Sequence, residues 1–109
     1  MIRYLEQERP YLRPDLTLDK LAALTSIPSR TLSSIINRHF ERNFFEFIST
    51  YRIDEARRLL SQDKGSATNI LNVMYASGFN SKTTFNTLFK KRVGMTPSEY
   101  RKLALLKIQ

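Results

Sequence analysis
The chain has 109 residues, 41% of them hydrophobic, which is enough for one modest core and too few for two independent domains. With no cysteine and a single histidine, His39, it excludes a disulfide scaffold, a thiolate metal site and an imidazole cluster, so no metal or cofactor is expected. The formal net charge of +8 is unevenly spread: residues 1–63 carry ten Lys or Arg against nine Asp or Glu, whereas residues 64–109 carry eight against one, which concentrates attraction for a polyanion in the second half.

Ile2 and Leu5 share one side of a short helix over residues 2–8, and the prolines at 10 and 14 make the following stretch extended and turn-like. Thr17 is placed to cap a helix running to about Leu24, with Asp19 near the positive end of its dipole and Leu18, Leu21, Ala22 and Leu24 facing inward. Thr25, Ser26, Ile27 and Pro28 break that helix. A second begins at Ser29, with Leu32, Ile35, Ile36 and Phe40 recurring at helical spacing on its buried side. Asn43 and Glu46 have the spacing of a capping box and open a long helix to about Ser61, on the order of 27 Å at the rise of an α-helix. Its apolar positions run from Phe47 to Leu60. Gln62 to Ser66, around Gly65, reads as a linker.

A further helix begins at Thr68 or Asn69, with Ile70, Leu71, Val73 and Met74 as core, and stops at Ser77 and Gly78. Ser81 caps the next, which runs to Val93 and ends at Gly94, a residue free to take the left-handed conformation. Thr96, Pro97, Ser98 and Glu99 form a second capping box, with proline at the first helical position, and the last helix carries Tyr100, Leu103, Leu106 and Lys107 toward the terminus.

The two halves match when overlaid. Leu21, Ala22, Ser26 and Ile27 stand fifty-two positions before Val73, Met74, Gly78 and Phe79. After one inserted residue, Leu32, Ile36, Phe40, Asn43, Glu46 and Phe47 fall fifty-three before Phe85, Phe89, Val93, Thr96, Glu99 and Tyr100. The expected fold is therefore all-α: two helix-turn-helix subdomains, 16–42 and 66–94, joined by a linker helix at 43–61 and closed by a C-terminal helix at 95–109. That makes about seven helices in a single module. In such motifs the second helix lies in the major groove, and groove faces recur about 34 Å apart, so the linker helix is long enough to set two reading helices into adjacent grooves.

Gly78-Phe79 followed by Ser81, then Phe85, Phe89-Lys90-Lys91, Gly94, Thr96-Pro97 and Tyr100-Arg101, together resemble the C-terminal DNA-binding domain of the AraC family of bacterial transcription regulators. Asn43-Phe44, Tyr51-Arg52 and the stretch from Ala56 to Leu60 resemble that family's linker helix, and the resemblance runs from about Leu16 to Lys102. It implies double-stranded DNA as partner, RNA polymerase as a further one, and a sensory or dimerisation domain N-terminal to this module and outside the chain. Absence of an apolar run near the roughly 20 residues that span a bilayer, and of a cleavable signal, makes a cytoplasmic, nucleoid-associated segment the expectation. Three positions depart from the family pattern. Glu41 stands where glycine is common, which puts the end of the first reading helix in doubt. Met74 replaces an alanine in the elbow. Pro28 replaces a capping hydroxyl, so that Ser29 takes over the cap or the cap is lost.

On the second reading helix Lys82, Thr83, Asn86 and Thr87 lie away from Phe85 and Phe89, and these side chains suit base edges: Lys donates to guanine, Asn pairs with adenine, Thr meets a thymine methyl. The corresponding set on the first is Arg30, Ser33, Ser34 and Asn37, with Arg30 the first choice for guanine. Arg38, Arg42, Ser81, Lys90 and Lys91 are the candidates for phosphate contact. Arg52 and Arg57 on the linker helix are assigned surface or salt-bridge roles with Glu55 or Asp54. Phe44, Phe45 and Phe47 are read as packing, with Phe45 open to exposure. The expected function is sequence-specific duplex binding in transcription control; the alternative keeps the fold as a protein-interaction or generic basic DNA-binding module. An enzyme has little support, since no nucleophile and base pairing, metal spacing or phosphate loop is present.

Overall fold
In the computed structural model, which describes residues 1–62 and 69–108, seven α-helices follow one another: α1 Ile2–Glu8, α2 Leu18–Thr25, α3 Ser29–Phe40, α4 Phe44–Gln62, α5 Ile70–Ala76, α6 Lys82–Val93 and α7 Pro97–Ile108. The expected linker residues 63–66, and Thr68 as a helix start, lie outside the described residues. Between α1 and α2 the chain is not simply extended, because Arg9 takes a left-handed conformation (φ 54°) and Pro10 opens one 3-10 turn, Pro10–Leu12. Proline's fixed φ suits that first position.

The duplication extends to the backbone. Thr17 Oγ1 accepts from the Lys20 amide at the start of α2, and Asn69 Oδ1 accepts from the Asn72 amide at the start of α5. Within each turn Ile27 N donates to the Ala22 carbonyl and Phe79 N to the Met74 carbonyl, both at 3.1 Å. Thr25 and Ser77 occupy equivalent places and bond back into their own helices, Thr25 Oγ1 to the Leu21 carbonyl and Ser77 Oγ to the Val73 carbonyl, each at 2.9 Å. The turn residues Ser26 and Gly78 are both left-handed, as are the helix ends Glu41 and Gly94. The capping boxes form as expected: Asn43 N donates to Glu46 Oε1 and Glu46 N to Asn43 Oδ1, and Thr96 and Glu99 repeat the exchange.

Two clusters of buried residues stand side by side. Leu5, Leu21, Leu32, Ile36, Phe47 and Ile48 are central to the first, and Ile53, Ala56, Leu60, Phe79, Phe85 and Phe89 to the second. α4 supplies both, its first turns facing one unit and its last turns the other. Aromatic rings reinforce each, through Phe40 against Phe47 at 4.7 Å in the first and Phe79, Phe85, Phe89 and Tyr100 in succession at 5.3–5.8 Å in the second.

Leu24 and Leu71, expected inward, are exposed. At about 100° per residue, Leu18 and Thr25 fall between Leu21 and Ala22, and Ile70 and Ser77 fall between Val73 and Met74. Leu24 and Leu71 sit outside those arcs, and helices this short bury only a narrow one. Met74 is accommodated fully buried in its elbow. Glu41 does not make the end of α3 irregular: its φ of 54° closes the helix with a bond from its amide to the Asn37 carbonyl, matching Gly94 N to the Lys90 carbonyl. The cost is a side chain held where only glycine is unstrained.

On the outer side of α4, buried Glu55 is gripped by Arg58, whose Nε and Nη2 donate at 2.7 and 2.8 Å, and by Arg9, which ties the end of α1 to the linker helix. Arg58 first, then Arg9, hold the Glu55 carboxyl below the ordinary carboxylate range against its partial burial.

Two tests follow from these contacts. Gly94→Ala will cost about 1 kcal/mol in urea unfolding from left-handed strain alone, because nothing lies within 4 Å of the added carbon, whereas Glu41→Gly will raise stability by up to about 1 kcal/mol. Equal signs for the two would refute the strain account. Because the folded pKa of Glu55 is depressed, its contribution is full above the unfolded value near 4.3 and is lost as pH falls through the folded value. Glu55→Gln should therefore be less stable than the parent at pH 7, by about 1–3 kcal/mol, with the gap closing below about pH 4.

Candidate nucleic-acid interface
In each unit the second helix, α3 or α6, is presented by a short bracing helix, and the sequence sets the joint. In the first unit Pro28 precedes α3 with no side-chain cap; Ser29 does not take over, because its hydroxyl donates to Asp19 Oδ1 at 2.6 Å. That bond ties the first turns of α2 and α3 and sets a carboxylate near the positive end of α3. In the second unit Ser81 caps α6, its hydroxyl accepting from the Thr84 amide at 3.3 Å while its own proton stays available to donate.

Arg30, Asn37, Lys82, Thr83, Asn86 and Thr87 are exposed, and Ser33 and Ser34 are half-buried on the flank of α3. Lys82 and Asn86 border one shallow hollow of about 300 Å³ with Ile70, Leu71 and Phe85. Arg38, Arg42, Lys90 and Lys91 are exposed and form no ion pair among the described residues. Arg42 and Lys91, far apart in sequence, line the same cleft of about 270 Å³ between α4 and α6. The α3 and α6 base-contact sets stay on their separate units. His39 is exposed, as is Phe45, while Phe47 is buried.

Among the last-turn cations of α6, Arg92 is directed otherwise. Its Nε and Nη2 both donate to the Asp54 carboxylate at 3.1 Å, pinning α6 to α4. Arg57 keeps the expected relation to Asp54 at 3.7 Å and also lies over the Tyr100 ring. Arg52 departs from its expected surface role: it is 6% exposed and pairs with no carboxylate among the described residues, donating instead from Nε to the Tyr11 carbonyl at 2.7 Å and from Nη2 to the Arg13 carbonyl at 2.9 Å. Burial pushes its guanidinium below the ordinary arginine range. No periodicity reveals such a contact, because its acceptors are main-chain atoms about forty residues away. No described helix is long and apolar enough to cross a membrane, and among the described residues no group of His, Asp and Glu is placed to hold a metal.

Two braced helices with exposed polar faces and unpaired cations at their ends define the class: a tandem helix-turn-helix of the DNA-binding kind. A family model described as a helix-turn-helix domain matches residues 21–103. The chain is 30% identical to a probable AraC family transcriptional regulator from Rhodopseudomonas palustris, with a TM-score of 0.76 over 94% of this chain and 95% of that one. It is 25% identical to the C-terminal domain of AraT, a response regulator from Geobacillus stearothermophilus, with a TM-score of 0.75 over 94% and 84%. The melibiose operon regulatory protein of Escherichia coli is 33% identical over 89 residues, 82% of this chain and 28% of that protein. The chain thus spans less than a third of that relative's length. It belongs to the AraC family of helix-turn-helix transcription regulators, a family of DNA-binding proteins and not of enzymes.

The double duty of Ser81, cap and candidate phosphate donor, can be separated. Ser81→Ala should lower stability by about 1 kcal/mol, while Ser81→Asp retains the cap and weakens duplex binding by setting a carboxylate against a phosphate. Thermal unfolding and gel-shift titration read the two effects, and unchanged binding by Ser81→Asp would remove Ser81 from the interface.

Proposed function
We propose that this module binds double-stranded DNA sequence-specifically, with α3 and α6 entering adjacent major grooves on one face of the duplex. The observation that carries this reading is the equivalence of the two units down to their turn hydrogen bonds and left-handed helix ends, so that both second helices are offered in the same way. A molecule 47 Å long has room for two reading helices one groove repeat, about 34 Å, apart. Arg30, Ser33, Ser34 and Asn37 read one block of bases and Lys82, Thr83, Asn86 and Thr87 the other. Arg38, Arg42, Ser81, Lys90 and Lys91 hold phosphates and set the register. The second unit provides more of the phosphate attraction, consistent with the cations of its last turn. The same reading gives the whole regulator RNA polymerase as a second partner, a sensory or dimerisation domain N-terminal to this module, and a place on the nucleoid in the cytoplasm.

Selection of bound duplexes from a random pool tests this directly: two preferred blocks about one helical turn apart are expected, and a single block would mean that one helix alone reads. Against a selected site, Arg30→Ala should cost about 1–3 kcal/mol and relax preference within one block. Lys90→Ala should weaken all duplexes alike and reduce the salt slope by about 1. Affinity for random duplex equal to that for the best site would replace base reading by generic basic binding.

A further inference from the structure
The two cores are separate clusters, and the side of α4 between them is only partly filled. A cleft of about 180 Å³ remains there, lined by Leu16 and Ile48 of the first cluster and by Phe79, Ser81 and Thr84 of the second unit. Arg52 lines this cleft too. It lies on α4 between Ile48, which faces the first core, and Ala56, which faces the second. Its Nε and Nη2 bonds end on the main chain of the segment leading into the first unit, while its guanidinium carbon stands 6.0 Å from the ring centroid of Phe79 in the turn of the second. Gly78 closes the joint: a Cβ there would collide with the Tyr11 carbonyl and lie 3.0 Å from Arg52 Nε. Tyr11 itself is buried in the first core and Phe79 in the second.

We infer that Arg52 is a positioning residue that sets the angle between the two helix-turn-helix units, and through it the base-pair spacing between the two blocks that the module reads. The chemistry requires arginine. A planar fork meets two carbonyls in different directions and still offers a face to an aromatic ring, whereas an ammonium is a point donor. Buried away from carboxylates, the guanidinium does not serve as an ion pair; the Tyr11 and Arg13 carbonyls fix it to the segment leading into the first unit, and the Phe79 ring is its contact with the second. The inference rests on the two-helix reading, because spacing matters only if both helices engage. Inserting one base pair turns one block against the other by about 34°, so a modest loosening of the joint is enough to blur the preference.

Two measurements separate the inference from that reading. The chain has no cysteine, so cysteines introduced at His39 on α3 and Asn86 on α6 carry spin labels uniquely, and pulsed dipolar spectroscopy reads their separation without DNA. A narrow distribution is expected for the parent and a broader or displaced one for Arg52→Gln. With unlabelled protein and duplexes whose blocks are moved one base pair closer or farther, the parent should lose about tenfold in affinity and Arg52→Gln less than about threefold, while binding to a single-block duplex stays within about twofold. If Arg52→Gln does not keep its helical circular dichroism, Arg52→Lys, which retains the charge but not the fork, is measured in the same way. Matching distance distributions and spacing penalties in a folded variant would overturn the inference. A parent that binds only one block would instead overturn the two-helix reading, and the label distances would still decide whether Arg52 sets the angle.

Discussion
The helices that frame the two turns are only 7 to 12 residues long, so tertiary burial rather than intrinsic propensity must hold them, and the wall that both units use is α4. Its 19 residues, about 28 Å of helix, give Phe47 and Ile48 to one core and Ile53, Ala56 and Leu60 to the other. Because one rigid element belongs to both cores, neither α3 nor α6 is positioned independently. Arg92 pinned to Asp54, Ser61 meeting the Tyr100 hydroxyl at 3.1 Å, and Arg9 on Glu55 all anchor neighbouring elements to this same helix.

Around that wall the duplicated unit is preserved in geometry more closely than in sequence. Ser26 and Glu41 take left-handed conformations that their counterparts Gly78 and Gly94 adopt at lower cost. Pro28 leaves α3 without the side-chain cap that Ser81 gives α6, and the Ser29 to Asp19 bond replaces part of its tethering. Such exchanges hold the first unit in the same shape with less favourable local chemistry. The asymmetry matches the charge distribution, in which the second unit carries the denser cluster of cations.

Much of the candidate surface was readable along the chain. A helical face opposite Phe85 and Phe89 is a local property, so the exposure of Thr83, Thr87 and Lys90 followed from spacing, as did that of Arg30 and Asn37. Leu24 and Leu71 are exposed against expectation because a helix of two turns buries a narrow arc, and hydrophobicity alone does not locate its centre. The burial of Arg52 is hidden from the sequence for a different reason. Asp54 and Glu55 lie nearby in sequence and suggest an ion pair, while the carbonyls it meets belong to a strand of chain brought in by folding. The partnership of Arg42 and Lys91 across one cleft is likewise a product of the packed units.

By itself the sequence determined the helix limits, the capping boxes, the repeat and the outward faces of α3 and α6. All of these arise from bonds and side-chain directions within a few residues of one another. Only the tertiary structure decided that Arg52 is buried as a clasp, that Glu55 takes Arg9 as a partner, that Arg92 turns away from the cations beside it, and how the two units share α4. Those outcomes depend on which distant groups arrive together once apolar surface is removed from water. A charged side chain in that setting takes whatever acceptor the packing leaves within reach.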